Sequence, residues 1–294
     1  MCDEHTEEDN KDYFSKLGMT DLSRRAFAVA SAAAIAAVAT PAADALTVAE
    51  KDVVIKTPDG ECDAHFVAPS SGKHPAVLVW PDIMGLRPAF KAMGKRLSES
   101  GYAVLTINPF YRKQKGLVFD AATEKFSDAP VRARLMPLMQ SLNADTNKVD
   151  AIAFTQWLDK QKQVDTKKKI GTTGYCMGGP LVFRSAAYVP NRIGAAATFH
   201  GGGIATDKDN SPHLLIPQMK ASFLCCIADN DDKNDPESKN RLRAAFDAAK
   251  LPAEIEVYTG DQHGWCPPDS QVYDKVGAEK AWGRQLALFQ KALA

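Results

Sequence analysis

A cysteine flanked by glycines is the first feature of this sequence that could do chemistry. Residues 174–179, Gly-Tyr-Cys-Met-Gly-Gly, follow a short apolar run and precede a helical pattern. This arrangement is typical of a nucleophile elbow, a tight turn between a strand and a helix, with the thiol of Cys176 as the nucleophile. Small residues are needed two positions to either side because the turn brings the two backbones together. A glycine-rich turn around a buried structural cysteine is the alternative.

A cysteine nucleophile requires a general base, and the base requires a group that orients it. Enzymes built around a nucleophile elbow place the nucleophile, the acid and the base in that order along the chain. His263 stands among glycines on the loop after the last predicted strand, where this order requires the base. A single histidine on a loop is more often structural, and it is the position of His263 that favours catalysis.

The orienting acid is expected on the loop that follows the strand predicted for residues 221–228. The loop offers these carboxylates: Asp229, Asp231, Asp232 and Asp235. Asp231 is the preferred candidate because it stands a few residues beyond the strand end, and Asp232 is its main rival. At least two of the four must be ordinary solvated acids of an acidic turn.

Residues 81–85, Pro-Asp-Ile-Met-Gly, form a loop after a buried strand. Enzymes of this kind supply one oxyanion donor from this place, so the amides of Ile83 and Met177 are predicted to form the oxyanion hole. Asp82 would then lie close to the thiol, where its charge would oppose ionisation and gate reactivity. Residues 200–203, His-Gly-Gly-Gly, resemble an oxyanion motif but follow the elbow, so we predict a flexible turn near the site mouth.

The elements that must position these residues alternate between strands and helices. Strands are predicted at residues 52–56, 62–67, 75–80, 102–108, 169–173, 193–199, 221–228 and 253–258. Helices are predicted at residues 88–100, 147–162, from the elbow to about 188, 236–250 and 272–292. Residues 109–145 are predicted to leave the sheet and to wall a substrate pocket. Such alternation predicts a mostly parallel sheet covered on both faces, a three-layer α/β architecture.

Residues 1–45 are predicted to be an export signal. Two arginines at residues 24–25 precede a mildly apolar, alanine-rich run and an A-x-A cleavage site that ends at Ala45, which resembles a twin-arginine signal. The run is too weakly apolar for a membrane span, which needs about 20 strongly apolar residues. An ordinary amphipathic helix is the alternative. We therefore expect the twin-arginine export machinery as a partner, and a single domain over residues 46–294. The enzyme is expected in the periplasm, or in the cytoplasm if the signal is not functional.

The composition limits the other classes of partner. Lysine plus arginine equals aspartate plus glutamate at 36 each, so nothing favours nucleic acid or an anionic membrane surface. The 6 cysteines show no C-x-x-C pair and no Cys/His ligand spacing, so a structural zinc site is not expected. Cys225 and Cys226 cannot easily bridge each other, so any disulfide would need Cys62 or Cys266.

With these residues placed, the chain resembles the dienelactone hydrolase family over about residues 50–294. The similarity rests on residues 79–85, 174–179, 228–231 and 263–264. The resemblance implies an α/β-hydrolase fold, with a mostly parallel central sheet flanked by helices on both faces. It also implies that Cys176, Asp231 and His263 form a triad that hydrolyses lactones or esters through a thioester acyl-enzyme, without a cofactor.

Two departures from the family pattern concern the substrate. Well-studied members carry a glutamate where Asp82 stands, and an arginine after the catalytic histidine, whereas residues 265–268 here are Trp-Cys-Pro-Pro. Arg112, after Tyr111, matches the family's other substrate-binding arginine, so both residues are predicted to bind substrate. The expected function is hydrolysis of a small ester or lactone. An acyltransferase with the same triad, or a non-catalytic ligand-binding protein of the same fold, is the alternative.

Overall fold

The computed structural model describes residues 45–294, so the predicted export signal lies outside the described residues except for Ala45. The strands in this range are β1 Val48–Thr57, β2 Gly60–Pro69, β3 Ala76–Trp80, β4 Ala103–Ile107, β5 Ile170–Tyr175, β6 Ile193–Phe199, β7 Ser222–Ala228 and β8 Ala253–Tyr258. The α-helices in it are α1 Pro88–Glu99, α2 Ala129–Gln140, α3 Ala144–Asp159, α4 Gly178–Tyr188, α5 Asp229–Asn234, α6 Ser238–Ala249 and α7 Lys275–Ala292. Within this range, no helix combines the length and the apolar character that a membrane span requires.

The strands form one sheet in the order β1-β2-β4-β3-β5-β6-β7-β8. β1 pairs with β2 and β2 with β4 in antiparallel fashion, and the remaining neighbours are parallel. The predicted antiparallel pair at the start of the chain and the mostly parallel sheet are therefore confirmed. Most of its parallel strands are joined through α-helices, and β6 is joined to β7 through a short 3-10 helix, Pro212–Gln218.

Helices cover both faces of the sheet, and the alternation of side chains along the strands decides which residues meet which helices. In β3, Leu78 packs in the hydrophobic layer that contains residues of α3, α4 and α6, such as Phe154 and Phe246. Its neighbours Val77 and Val79 pack in the opposite layer, with residues of α1 and α7. Each central strand is thus buried on both faces, which explains the continuous apolar runs of the sequence.

The parallel arrangement brings the functional loops to one edge of the sheet. β3, β5, β6, β7 and β8 run in the same direction, so the loops that leave their C-terminal ends lie at the same edge. In chain order, the residues of interest that follow these ends are Asp82, Cys176, His200, Asp231 and His263. Residues far apart in sequence are therefore neighbours at this edge.

Residues 109–145 leave the sheet and include α2, a helix that the sequence pattern did not predict. Three of its side chains, Val131, Leu135 and Leu138, are buried in one hydrophobic cluster with Cys176. This segment therefore packs over the elbow and forms one wall of the cavity described below.

Candidate active site

Cys176 has a backbone conformation that few non-glycine residues adopt. Its φ angle is 52°, a left-handed conformation that costs about 1–3 kcal/mol. Its N–H donates to the carbonyl oxygen of Phe199 at 3.0 Å, and its carbonyl oxygen accepts from the N–H of Gly179 at 3.0 Å. β5 ends just before Cys176 and α4 begins just after the turn. Cys176 therefore occupies the strained strand-to-helix turn that defines a nucleophile elbow.

The glycines on either side of Cys176 are required by close backbone contacts. A Cβ on Gly174 would lie 2.4 Å from the carbonyl oxygen of Gly178, across the turn. A Cβ on Gly178 would lie 2.4 Å from the carbonyl oxygen of Trp80, at the end of β3. Both distances are far below van der Waals contact, so only glycine fits. The second contact also shows that the elbow packs directly against the end of β3, the strand that leads into residues 81–85.

His263 is held by two hydrogen bonds from the segment that follows β7. Its Nδ1 lies 2.7 Å from Oδ2 of Asp231, and its main-chain N–H donates to Oδ1 of Asn230 at 2.8 Å. The side chain of His263 is buried, whereas that of Asp231 is partly exposed. The acidic turn predicted here is in fact the short helix α5, which presents the carboxylate of Asp231 towards His263.

Asp232, the rival candidate for the acid, has a different partner. Both of its carboxylate oxygens accept hydrogen bonds from Nζ of Lys239, at 2.6 and 2.8 Å. Successive residues of a helix point in directions about 100° apart, so Asp231 and Asp232 cannot share one partner. The structure therefore brings Asp231, and not Asp232, to His263.

Cys176 and His263 line one cavity of about 230 Å³. Asp82, Ile83 and His200 contribute to the same wall, together with side chains from residues 119–132 such as Phe119 and Phe126. The cavity is small, which favours a compact ligand. Within residues 45–294, no cluster of three His, Cys, Asp or Glu side chains could hold a metal ion.

The two amides predicted to form the oxyanion hole belong to the loop after β3 and to the start of α4. Ile83 lines the cavity, and Met177 stands directly before the first residue of α4. Within the described range, no main-chain carbonyl accepts a hydrogen bond from either amide. The N-terminus of α4 adds a positive partial charge to this region, which favours an anion there.

His200 lies beside His263, and a turn follows it at residues 202–203, near the cavity as predicted. Its side chain is 0% exposed, and within residues 45–294 neither ring nitrogen has a hydrogen-bond partner. Its ring makes an edge contact with that of His263, with ring centroids 5.1 Å apart. Burial, and secondarily the neighbouring His263, hold the pKa of His200 well below its usual value, so the ring is uncharged. The sequence signal that could have identified His200 as a site residue is its position directly after β6.

Asp82 forms an ion pair with Arg87, a residue that the sequence analysis did not single out. Both carboxylate oxygens of Asp82 accept hydrogen bonds from the guanidinium, at 2.7 and 3.0 Å. Arg87 also binds Asp269, which lies after His263 in the chain. The guanidinium offsets the charge of Asp82, which weakens the electrostatic basis of the predicted thiol gate. The gate itself stays a prediction.

The structure places Tyr111 and Arg112 outside the lining of the cavity that contains Cys176, and their role in binding substrate stays a prediction. The Tyr111 hydroxyl donates to Asp150 at 2.7 Å, and the Arg112 guanidinium binds Asp150 and Asp59. Neither residue lines the cavity that contains Cys176. Their hydrogen-bonding groups are instead used to connect α3 with the turn between β1 and β2.

The sequence left open a disulfide through Cys62 or Cys266, and neither cysteine forms one. Cys62, Cys225, Cys226 and Cys266 are all free and buried. Burial raises the pKa of Cys226 to about 12 and that of Cys266 well above its usual value, so these thiols are unreactive. Cys176 is disulfide-bonded in this structure, and only its reduced thiol can act as a nucleophile.

Solved structures with the same architecture define the class of protein. A structure from Klebsiella pneumoniae subsp. pneumoniae, provisionally named a dienelactone hydrolase, has a TM-score of 0.72 and 22% identity over 83% of this chain and 99% of its own. A dienelactone hydrolase-like promiscuous phosphotriesterase from metagenomic libraries has a TM-score of 0.69 and 21% identity over 84% of this chain and 99% of its own. The chain therefore has the predicted α/β-hydrolase fold.

The model of the dienelactone hydrolase family matches residues 62–293, and the chain belongs to this family of hydrolases. A protein from Saccharolobus solfataricus, provisionally named carboxymethylenebutenolidase, is 25% identical over 260 residues, which are 80% of this chain and 96% of the relative. A relative from Methylorubrum extorquens with the same provisional name is 25% identical over 93% of this chain and 94% of its own length.

Proposed function

We propose that this protein hydrolyses a small carboxylic ester or lactone through a thioester acyl-enzyme. Cys176 is the nucleophile, His263 the general base and acid, and Asp231 the group that orients His263. The observation that carries the proposal is the 2.7 Å contact between His263 Nδ1 and Asp231 Oδ2, in a cavity that Cys176 also lines. Family membership supports the same chemistry.

The contact with Asp231 supports a different role for each of the two nitrogens of His263. A proton on Nδ1 is held by the carboxylate, so Nε2 is the nitrogen that exchanges protons with the thiol and the leaving group. Asp231 also stabilises the imidazolium that forms when the thiol proton is transferred. Its partial exposure lets solvent share in stabilising its charge.

The first half of the reaction forms the acyl-enzyme. The thiol proton of Cys176 moves to Nε2 of His263, and the sulfur attacks the carbonyl carbon of the substrate. The carbonyl oxygen becomes an oxyanion that accepts hydrogen bonds from the amides of Ile83 and Met177. The carbon–oxygen bond to the leaving group then breaks, and His263 donates its proton to the departing alkoxide.

The second half returns the enzyme to its starting state. A water molecule gives a proton to Nε2 of His263 while its oxygen attacks the thioester carbonyl carbon. The same two amides stabilise the second oxyanion, and the carbon–sulfur bond breaks to release the carboxylic acid. The thiolate of Cys176 recovers its proton from His263. Each step uses groups of the chain, substrate and water only, so no cofactor is required.

The cavity supports a compact substrate. A volume of about 230 Å³ holds an acyl group of a few carbon atoms more readily than a long chain. Phe119, Phe126 and Ile83 supply apolar contacts, while Lys125 and Arg132 place cationic groups in the same wall. The relatives' shared name, carboxymethylenebutenolidase, makes unsaturated lactones a sensible part of the substrate panel.

We also propose that the enzyme works in the periplasm after export by the twin-arginine machinery. The basis is the motif within residues 1–45. The mature chain would then be residues 46–294, a single α/β-hydrolase domain.

The proposed function is tested by trapping the acyl-enzyme. Protein kept in a thiol reductant is mixed with a small activated ester, quenched in acid within seconds, and its intact mass is measured. We expect one acyl group per chain, located on the peptide that contains Cys176 and absent from Cys176→Ala. Turnover of the ester with no adduct at any quench time, or an adduct on another residue, would contradict the mechanism.

The identity of the triad acid is tested by comparing Asp231→Asn with Asp232→Asn. Asn at position 231 keeps the shape but loses the charge that stabilises the His263 imidazolium, so kcat is expected to fall about 10²–10⁴-fold. Asp232→Asn removes a contact with Lys239 only and should change kcat less than about threefold, as expected of a partly exposed ion pair. Steady-state hydrolysis by the two reduced variants gives the answer. Equal effects would argue against Asp231 as the orienting acid.

A further inference from the structure

Arg87 forms a buried ionic bridge between two loops of the cavity. Its side chain is 1% exposed. Its two terminal nitrogens donate to Asp82 at 2.7 and 3.0 Å, and Nε and Nη2 donate to Asp269 at 2.7 and 2.9 Å. The guanidinium also lies over the ring of Phe90, 4.9 Å from its centroid. This arginine uses nearly all of its donors on two carboxylates that both line the cavity.

Asp82 shapes the loop that carries the proposed oxyanion amide. Its Oδ1 accepts from the N–H of Met84 at 2.9 Å, and its carbonyl oxygen accepts from the N–H of Gly85 at 2.9 Å. The two bonds close a turn around Ile83 and use the amides of Met84 and Gly85 but not that of Ile83. Any movement of the Asp82 carboxylate would therefore move the amide of Ile83.

Asp269 belongs to the loop that carries His263. This loop continues into Ser270 and Val272, which also line the cavity. It is tied back towards His263 through the N–H of Asp274, which donates to the carbonyl oxygen of Trp265 at 3.1 Å. Arg87 thus connects the segment that would bind the oxyanion with the segment that supplies the base.

The charges of this bridge suit a positioning role better than a stabilising one. A buried ion pair contributes little net stability, because desolvation of the charges offsets most of their attraction. Burial alone would lower the pKa of Arg87, but Asp82 and Asp269 outweigh it and raise that pKa, so the guanidinium is always charged. The bridge instead fixes the relative positions of the two carboxylates, because a planar guanidinium binds carboxylates only in fixed directions.

We propose that Arg87 is a positioning residue. Through its contacts with Asp82 and Asp269, it fixes the position of the Ile83 amide relative to His263. This inference rests on the proposed function, because it assigns the amide to the oxyanion hole. It also gives Asp82 a role in shaping the loop rather than in gating the thiol.

Two chemical probes separate these roles in reduced protein. A small aliphatic aldehyde forms a hemithioacetal whose oxyanion needs the Ile83 amide, whereas iodoacetamide alkylates the thiol and needs no oxyanion hole. The variants are Arg87→Lys, Asp269→Asn and Asp82→Asn. Glu279→Gln is the matched control, since Glu279 forms an exposed ion pair with Arg96 between α1 and α7. Thermal unfolding identifies any variant that fails to fold, and Asp269→Asn is the mildest change.

We expect the three variants to weaken aldehyde inhibition about 10–100-fold, because misplacement of an oxyanion donor by a fraction of an ångström costs this much. The rate of alkylation should change less than about threefold, since alkylation forms no oxyanion and needs no donor from the loop. Glu279→Gln should match the wild type in both measurements. Steady-state kinetics should show the loss in kcat with little change in KM, which general destabilisation would not produce.

The outcomes that overturn this inference are distinct from those that overturn the proposed function. If the aldehyde inhibits folded Asp269→Asn and Arg87→Lys as strongly as it inhibits the wild type, Arg87 has no positioning role. The proposed function would be unaffected by this result. Faster alkylation of Asp82→Asn, with aldehyde inhibition intact, would restore the thiol gate and reject the role of Asp82 in shaping the loop. A wild-type protein that neither binds the aldehyde nor forms an acyl-enzyme would contradict the proposed function itself.

Discussion

Replacing Cys176 by alanine is expected to lower kcat for ester hydrolysis by at least about 10³-fold, because loss of the nucleophile leaves only the residual catalysis of binding and the oxyanion hole. The substitution removes one sulfur atom from a surface that lines the cavity, so the fold should be retained. Initial rates on a panel of small esters and lactones, measured in reductant at matched protein concentration, give the fold-change. Circular dichroism and the thermal midpoint report on the fold.

Cys225→Ala is a suitable control for this experiment. Cys225 is also a buried cysteine, but it lies in the hydrophobic layer between β7 and the helices, away from the cavity. Its truncation should cost about 1 kcal/mol from the lost burial of one small group and leave kcat unchanged. Hydrolysis by Cys176→Ala within tenfold of the wild-type rate would reject Cys176 as the nucleophile. Hydrolysis would then proceed through another nucleophile, such as a water molecule that a general base activates.

The second large effect is expected from Gly178→Ala, which adds a single methyl group beside the elbow. That methyl carbon would lie 2.4 Å from the carbonyl oxygen of Trp80 and 3.0 Å from that of Pro81. These are backbone atoms, so the contact can be relieved only if β3 and α4 move apart. Overpacking of this kind costs about 3 kcal/mol or more, which corresponds to a fall in Tm of about 6–12 °C for a domain of this size.

The same movement should also damage catalysis, because Trp80 and Pro81 lead directly to Ile83. A displacement approaching 1 Å costs about 10²-fold in rate, so we expect kcat of the folded variant to fall by at least about tenfold. Gly283→Ala is the matched control. A Cβ at that position meets no atom within 4 Å, and alanine inside a helix is favoured over glycine by about 0.5–1 kcal/mol.

The two glycine variants are compared by their thermal unfolding midpoints and then by their kcat at a temperature below both midpoints. Gly283→Ala should be as active as the wild type and slightly more stable. A Gly178→Ala protein with wild-type Tm and kcat would mean that the elbow and β3 tolerate a wider separation than their contact indicates.

The local parts of the site could be predicted from sequence because they depend on short-range rules. The elbow around Cys176 follows from a strand, a tight turn and a helix within about a dozen residues, and the need for Gly174 is dictated by a contact inside that motif. The buried strands could be predicted from continuous apolar runs, because a strand that is buried on both faces does not alternate between polar and apolar residues. The confirmed fold class and family membership rest on these patterns.

Chain order extended this reasoning to His263 and Asp231, which lie on loops after successive strands at one edge of the sheet. The predicted loop around Asp231 is a short helix, which local propensity did not reveal because four aspartates within residues 229–235 also suit a solvated turn. The contact between Asp231 and His263 depends on which face of that helix meets the loop after β8. This is a matter of packing between elements, not of spacing along the chain.

What the sequence by itself determined is therefore the mostly parallel sheet, the elbow and the candidates for the chemistry, all of which follow from spacing and periodicity. Only the tertiary structure decided which charges meet. Arg87 joins Asp82 to Asp269, 182 residues from Arg87 in the chain, and Arg112 binds Asp59 and Asp150. Ion pairs leave no periodic pattern in the sequence, because the three-dimensional arrangement of the loops determines which charged side chains meet.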